Sequence, residues 1–431
     1  MKQVALFFVV SGLASGCGSK SDSSACKTAS TGVVQVDIVG LPEGANAKAW
    51  LSKGSSVYPI TGNSDKPQLL QLDSGEYTVG VSTVTISDPI VRLAYAGTVS
   101  ASSLEVCDGT DASLNVSYNI IPSSHRLWWG DTMGSSNTVA FDAESLRVSA
   151  DVSASLAIQT AGTLPGAFDI LGNLWVVDSA AGVGSLKRYS VYTFAADGMK
   201  SPDIVITSSE LSGDVAGAAS LAFDSSGNLW VGVVSTGKVV EFDVSHLGAS
   251  GDVTPDVEIT NVPSPNALAF DATHDLWVGA GDNVIAYNVA RLSASTADPA
   301  DISLSGLTSG AGALSNVLGL AFTSTQDLWV NWNGTFAFIE SDELKSGALT
   351  PAIQITTDAP SPPQGLVLDE SGALWFPYGG GKFAKLSKTQ LGESGTVSPT
   401  VIISSSDIGE ANSPAFFPAA AGLPLYSSLP L

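Results

Sequence analysis

The sequence predicts an all-β protein in two parts, a β-sandwich over residues 31–120 and a β-propeller over residues 121–431. Three observations carry this. The dipeptide Leu-Trp returns six times in the second part at a spacing near fifty residues, each copy lies among short apolar stretches bounded by turn residues, and in the first part apolar and polar residues alternate over short segments. Charged residues make up 14% of the chain while glycine reaches 44 residues, a balance that fits neither a coiled coil nor a charged disordered chain. At 431 residues and 44% hydrophobic content, two domains with cores of their own are the natural division.

Taking the elements in order, the first sixteen residues hold one basic residue, Lys2, then an apolar run over 4–10 and a stretch of small residues, Ser11-Gly12-Leu13-Ala14-Ser15-Gly16, that ends at Cys17. The run is shorter than the ~20 residues a membrane-spanning helix needs. It predicts a signal peptide over 1–16 and an exported chain. Leu13-Ala14-Ser15-Gly16-Cys17 resembles the lipobox of bacterial lipoproteins, with Leu13 one place earlier than that family usually has it. The resemblance implies a lipid on Cys17 that anchors the chain to a membrane, with 17–30 as a small, polar, flexible tether. Gly18 after the cysteine, where Asp would signal inner-membrane retention, implies an outer-membrane address facing the periplasm or the cell surface. An ordinary secretory signal with an incidental cysteine is the alternative. Once Cys17 is lipidated, Cys26 and Cys107 remain as a pair in an oxidising compartment, where a disulfide persists. Closing so long a loop stabilises by about 4 kcal/mol in the chain-entropy treatment. Metal ligation would need a Cys/His cluster that the sequence lacks.

Over 31–120, Val34, Val36 and Ile38 alternate with Gln35 and Asp37, the period-2 signature of a half-buried strand. A turn over 41–46 and a strand at Lys48-Ala49-Trp50-Leu51 follow, then strands at 74–81, 90–96 and 114–118, the spacing of a sandwich. The phrase Leu72-Asp73-Ser74-Gly75-Glu76-Tyr77-Thr78-Val79 is similar to the Ig-like or prealbumin-like modules of exported bacterial proteins.

In the second part Leu-Trp occurs at Leu127, Leu174, Leu229, Leu276, Leu328 and Leu374, with steps of 47, 55, 47, 52 and 46 residues. The fullest copies read Leu221-Ala222-Phe223-Asp224-Ser225-Ser226-Gly227-Asn228-Leu229-Trp230-Val231 and Leu268-Ala269-Phe270-Asp271-Ala272-Thr273-His274-Asp275-Leu276-Trp277-Val278. Two further apolar stretches follow each copy, so a unit holds four strands, the period of a propeller blade. Leu229 and Val231 point to one face and Trp230 to the other; neither face tolerates water, and only stacked neighbours cover both. Gly227 and Gly172 supply the turn between an inner strand and the Leu-Trp strand. The first Leu-Trp, at Leu127, lacks an inner strand before it, and Ser413-Pro414-Ala415-Phe416-Phe417-Pro418 looks like one without a following Leu-Trp. Pairing the two closes a ring of six blades; seven is the alternative, if the segment from Leu423 builds a sheet of its own.

This repeat resembles the NHL and gluconolactonase-like (SMP-30-like) propellers over about 300 residues. The resemblance implies an axial site in which Glu, Asn and Asp hold a divalent cation such as Ca²⁺, the Asn preceding an inner strand. Asn266 matches that place, whereas Gln364, Ala219 and Leu318 stand at the corresponding places of other repeats. Asp224, Asp271 and Asp369 follow inner strands and read as caps of the hairpin turn.

The loop leaving each Leu-Trp strand differs from copy to copy. One arc carries Asp131 and Asp178, another Asn331, Trp332, Asn333 and Tyr378, and aromatic rings beside amides suit a glycan or protein ligand. Ordinary divergence of a repeat is the other reading. The six Leu-Trp tryptophans read as packing. His125, His246 and His274 fall in unrelated contexts, and no Ser-His-Asp or zinc-binding spacing is present. Tyr378-Gly379-Gly380-Gly381-Lys382 reads as a hairpin turn rather than a phosphate loop. A net charge of −23 excludes nucleic acid as a partner, because that binding relies on Lys and Arg neutralising phosphates. The sequence therefore predicts a cell-envelope lipoprotein, without a cofactor, that binds or scaffolds through its propeller face; the alternative is a metal-dependent lactonase or lyase.

Overall fold

The computed structural model describes residues 30–63, 66–108, 111–131, 137–160, 166–178, 184–211, 220–306, 308–309, 312–313, 316–332, 334–360, 363–420 and 423. These residues form strands and short 3-10 turns, and among them no helix is long and apolar enough to cross a membrane. They fall into two compact units. One takes the chain up to Ile86 together with Ala94–Ile121; the other takes Ser87–Leu93 together with the chain from Pro122 onward.

The first unit holds two sheets. One runs in the order Gln68–Asp73, Thr31–Val39, Asp111–Ile120, Arg92–Val99, Val84–Ser87, with the pair Thr31–Val39 and Asp111–Ile120 parallel. The other runs Ser56–Ile60, Ala49–Lys53, Gly75–Val81, Ser103–Val106. The alternation in Thr31–Val39 turns Val34, Val36 and Ile38 into a core with Leu51, Tyr77, Val79, Leu114 and Val116. Tyr118 keeps its hydroxyl satisfied at the edge of that core by accepting from the Lys48 N–H at 2.8 Å. Cys107 is disulfide-bonded, while Cys17 and Cys26 lie outside the described residues.

The seven residues Ser87–Leu93 depart from the sequence expectation, which puts them in the first domain. Ile90 and Val91 are 4% and 2% exposed and belong to the largest core of the second unit. The Glu370 N–H donates to the Ile90 carbonyl, the Ser87 hydroxyl to the Glu370 carboxylate at 2.6 Å, and Arg147 to Asp88 at 3.1 Å. A short apolar pair reads as a strand whichever core receives it, so alternation alone does not assign it.

The second unit is a β-propeller. Among the described residues, six of its sheets have four or five strands and one plan. In one sheet the inner strand Leu221–Phe223 pairs with Leu229–Val233, that with Lys238–Phe242, and that with Val257–Ile259, all antiparallel. Register is constant: Phe223 stands opposite Leu229, Phe270 opposite Leu276, Phe322 opposite Leu328 and Leu368 opposite Leu374. The sheet built on Arg126–Asp131 takes its inner strand from Ala411–Phe416, with Leu127 opposite Phe416. The last of the described strands thus completes the first sheet of this unit.

One hydrogen-bonded device shapes the inner turns. Asp224 Oδ1 accepts the backbone N–H groups of Ser226 and Asn228 at 2.8 and 3.0 Å, and its Oδ2 accepts the Trp230 indole N–H at 3.1 Å. Asp169, Asp271 and Asp369 repeat this with Trp175, Trp277 and Trp375 at 3.2, 2.8 and 3.0 Å. The aspartate is therefore both the turn cap and the partner that a buried indole requires. Burial pushes the Asp169 and Asp369 carboxyls up, against the pull of these donors. The turn needs a left-handed residue, which Gly227 supplies at φ 89° and which His274 adopts at 68°.

A second device runs around the circumference. Before its fourth strand, each repeat reaches back to the fourth strand of the preceding sheet. Ser250 Oγ accepts the Val205 N–H, Ser295 that of Glu258, Ser346 that of Ser303 and Ser394 that of Gln354, all at 2.9–3.0 Å. Asp197 does the same for Ala157 at 3.1 Å. Ser149 receives the Ile402 N–H at 3.0 Å, so the first of these sheets clasps the last. Short parallel pairings accompany the clasp, as between Gly251–Asp252 and Ile204–Thr207 or Ala150–Asp151 and Val401–Ser404.

Candidate functional site

At one end of the inner strands the chain surrounds a recess of about 70 Å³. Two residues before the conserved register point of each inner strand stand Gly166, Leu221, Leu268, Leu320, Leu366 and Pro414, and all six line it. The four leucines are 4–6% exposed, so they form an apolar floor that is closed almost completely. Ser220, Asn266, Leu318, Gly365 and Ser413 stand further out.

Bulges set this outer tier. The pairing of Pro265–Phe270 with Leu276–Ala280 shifts at Asn266, and that of Val317–Phe322 with Leu328–Trp332 shifts at Leu318. An extra residue in one strand re-aims its side chain, and both bulged residues line the recess. A third shift falls where Ala411–Phe416 meets Arg126–Asp131, beside Ser413, whose φ is 42°. The polar groups are partly engaged already. Ser220 donates to the Pro265 carbonyl at 3.2 Å, Ser413 to Asn412 Oδ1 at 3.1 Å, and Asn412 to Gln364 Oε1 at 2.7 Å. The Asn266 amide makes no hydrogen bond to the described residues.

This arrangement does not fit a cation. Among the described residues no carboxylate lines the recess, and no three His, Cys, Asp or Glu side chains are grouped to hold a metal. Asn266 thus lines the recess among apolar neighbours, Leu268, Leu318 and Leu320.

The other candidate residues are not brought together as a ligand face. Asp131 is 1% exposed and accepts the Glu410 N–H at 3.0 Å; Asp178 is 3% exposed and ion-paired with Lys187. Asn331 is wholly buried, donating to the Pro363 carbonyl at 2.8 Å, with its Oδ1 unpartnered. Trp332, at 1% exposed, lies in the core with Leu328 and Val330, so its ring has no free face for a sugar. Tyr378 donates to Asp358 at 2.8 Å. Asn333 lies outside the described residues, as do Cys17 and Cys26. Asn331 and Trp332 thus serve packing at a strand end. Trp332 shares a strand face with Leu328 and Val330, and the strand is covered on both faces. Gly379, Gly380 and Gly381 all have positive φ and close a hairpin in which the Tyr378 N–H donates to the Lys382 carbonyl.

No family model matches the chain, and no curated protein matches it. Among solved structures it is similar to selenomethionine-substituted virginiamycin B lyase from Staphylococcus aureus, at 15% identity over 53% of this chain and 68% of that one, with a TM-score of 0.35. It is also similar to the WD40 β-propeller domain of Doa1, at 10% identity over 66% and 80% of the two chains, with a TM-score of 0.42. The activity in the first name is that protein's own.

Proposed function

We propose that this protein is an exported binding module, anchored to the envelope by lipid on Cys17, in which a β-sandwich precedes a six-bladed propeller whose axial recess receives an aliphatic side chain of a protein partner. Six blades rather than seven is supported by the cyclic order of the clasps, since the clasp of Ser149 on Ile402 returns the series to its start. The sandwich is supported by the single core that its two sheets share. The outer-membrane address and the Cys26–Cys107 pairing rest on the lipobox resemblance and on the bonded state of Cys107.

The observation that carries the binding reading is the floor of Leu221, Leu268, Leu320, Leu366 and Pro414 beneath the Asn266 amide. A volume of this size suits a branched aliphatic group, whose burial contributes about 1.5–3 kcal/mol, with the amide oriented to read the adjoining peptide group. A protein segment is favoured over a glycan because the lining offers no aromatic ring for a sugar to stack on. That no carboxylate among the described residues lines the recess with Asn266 disfavours the lactonase or lyase alternative.

Arrays of neutral peptides and of glycans, probed with the soluble chain and with Asn266→Ala, test the reading. Capture of peptides rich in Leu, Ile or Val, lost in the variant at an unchanged melting midpoint, is the expected result. Capture confined to glycans, or retained by the variant, contradicts it.

A further inference from the structure

Each Leu-Trp tryptophan faces one residue of the neighbouring third strand, and the identity of that residue changes around the propeller. Arg188 stands opposite Trp175 with its guanidinium 5.9 Å from the ring centroid, and Lys385 stands over Trp375 at 5.2 Å. Both are cations on an indole face, a favourable pairing. Ala286 and Phe338 take the place opposite Trp277 and Trp329. Opposite Trp230 the residue is Glu241, 4% exposed, whose carboxyl group makes no hydrogen bond among the described residues.

The surroundings make this exchange consequential. Arg188 is neutralised by Asp203, which precedes its fourth strand, at 2.7 Å. In the Glu241 sheet the corresponding residue is Asp256, whose N–H donates to the Glu241 carbonyl as that of Asp203 does to Arg188. A cation–carboxylate pair has therefore become two carboxyls. Asp256 is held by the Asp243 N–H at 2.9 Å and by His246 Nδ1 at 3.0 Å. Asp224 lies beyond Trp230 and is bound to its indole, and Asp243 ends the strand that carries Glu241. The next sheet meets Trp230 through Phe270; its Tyr287 shares the same core under Arg291, and Arg291 is committed to Asp301 at 2.9 Å.

We propose that Glu241 is a pH-sensitive joint in the propeller, neutral and packed on Trp230 in acidic surroundings and ionised in alkaline ones, where its repulsion from Asp256 loosens the outer half of its sheet. Burial first, then Asp256, Asp224 and Asp243, push its carboxyl up to about 7. The folded chain then holds a proton that the unfolded chain has released. Stability is highest in the ordinary carboxylate range, falls as pH rises towards 7, and levels off above it.

The test is urea denaturation of the full mature chain at pH 5, 6, 7 and 8, as wild type, Glu241→Gln and Glu241→Arg. His246 is hydrogen-bonded to Asp256, so each is also made in a His246→Asn background. The folding constant of the wild type relative to Glu241→Gln should fall by at least ~10-fold from pH 5 to pH 8. Glu241→Arg, which restores the cation over the ring, should be more stable than wild type at pH 8. Parallel profiles for wild type and Glu241→Gln, or an Arg variant no more stable than wild type at pH 8, overturn the proposal. Should the variants fail to fold, NMR titration of the wild-type Glu241 carboxyl decides: a midpoint near 7 supports the joint, and one in the ordinary carboxylate range overturns it.

Discussion

The circumference of the propeller and its axis are built by opposite rules. Around the outside the same bond is made six times, an Oγ or Oδ of one repeat on a backbone N–H of the sheet before it, at Ser149, Asp197, Ser250, Ser295, Ser346 and Ser394. At the axis the outer tier holds unlike residues, Ser220, Asn266, Leu318, Gly365 and Ser413 among those described, and bulges at Asn266 and Leu318 turn two of them inward. Uniformity marks what holds the ring together. Departure from uniformity marks where the chain has been free to shape a site, and Glu241 among Arg188, Ala286, Phe338 and Lys385 is the same lesson on the blade faces.

The comparison is broken most severely at the turns between the two regions. Asp369→Ala leaves the Ser371 and Ala373 N–H groups and the Trp375 indole without their acceptor. A loss of roughly 3–4 kcal/mol in urea denaturation is expected, since each buried donor left alone costs about 1–3 kcal/mol. Asp369→Thr should recover part of it, because Thr323 holds the equivalent turn in another repeat by accepting the Asp327 N–H at 3.1 Å. A smaller effect belongs to the clasp. Ser346→Ala removes a half-exposed acceptor from the Ser303 N–H and should cost about 1 kcal/mol, with water taking its place. Ser149→Ala should cost about the same. A much larger loss at Ser149 alone would mean that ring closure depends on that bond, not on the strand Ala411–Phe416.

Much of this architecture is legible in the residues, for a physical reason. Leu229-Trp230-Val231 must bury both faces, and a constant register between Phe and Leu follows from the fixed length of the Phe-Asp-x-x-Gly-x-Leu turn. The turn aspartates read as caps, but their second bond, to the indole six residues on, appears only once the strands pair. The clasp also had a written signal, Ser-Gly followed by Pro five residues after the serine at Ser250, Ser346 and Ser394. It fades at Ser149 and Ser295, and its partner is on another repeat, which local pattern does not reveal.

The site was harder to read. Asn266 was visible as an amide before an inner strand, yet its meaning depends on what the other inner strands bring beside it, and they bring Leu221, Leu320, Leu366 and Pro414. Trp332 stands next to Asn331 and Asn333 in the sequence, but its strand is buried on both faces, so its ring packs in the core.

The central claim, that the axis is an apolar binding recess and not a metal centre, is tested most directly by thermal melting. The chain from residue 18 onward is stripped with a chelator and melted with and without Ca²⁺, Mg²⁺, Mn²⁺ and Zn²⁺. A cation that binds only the folded state must raise the midpoint. The prediction is an unchanged midpoint with every ion. A clear rise with one of them, abolished by Asn266→Ala, would contradict the account and return the site to metal chemistry.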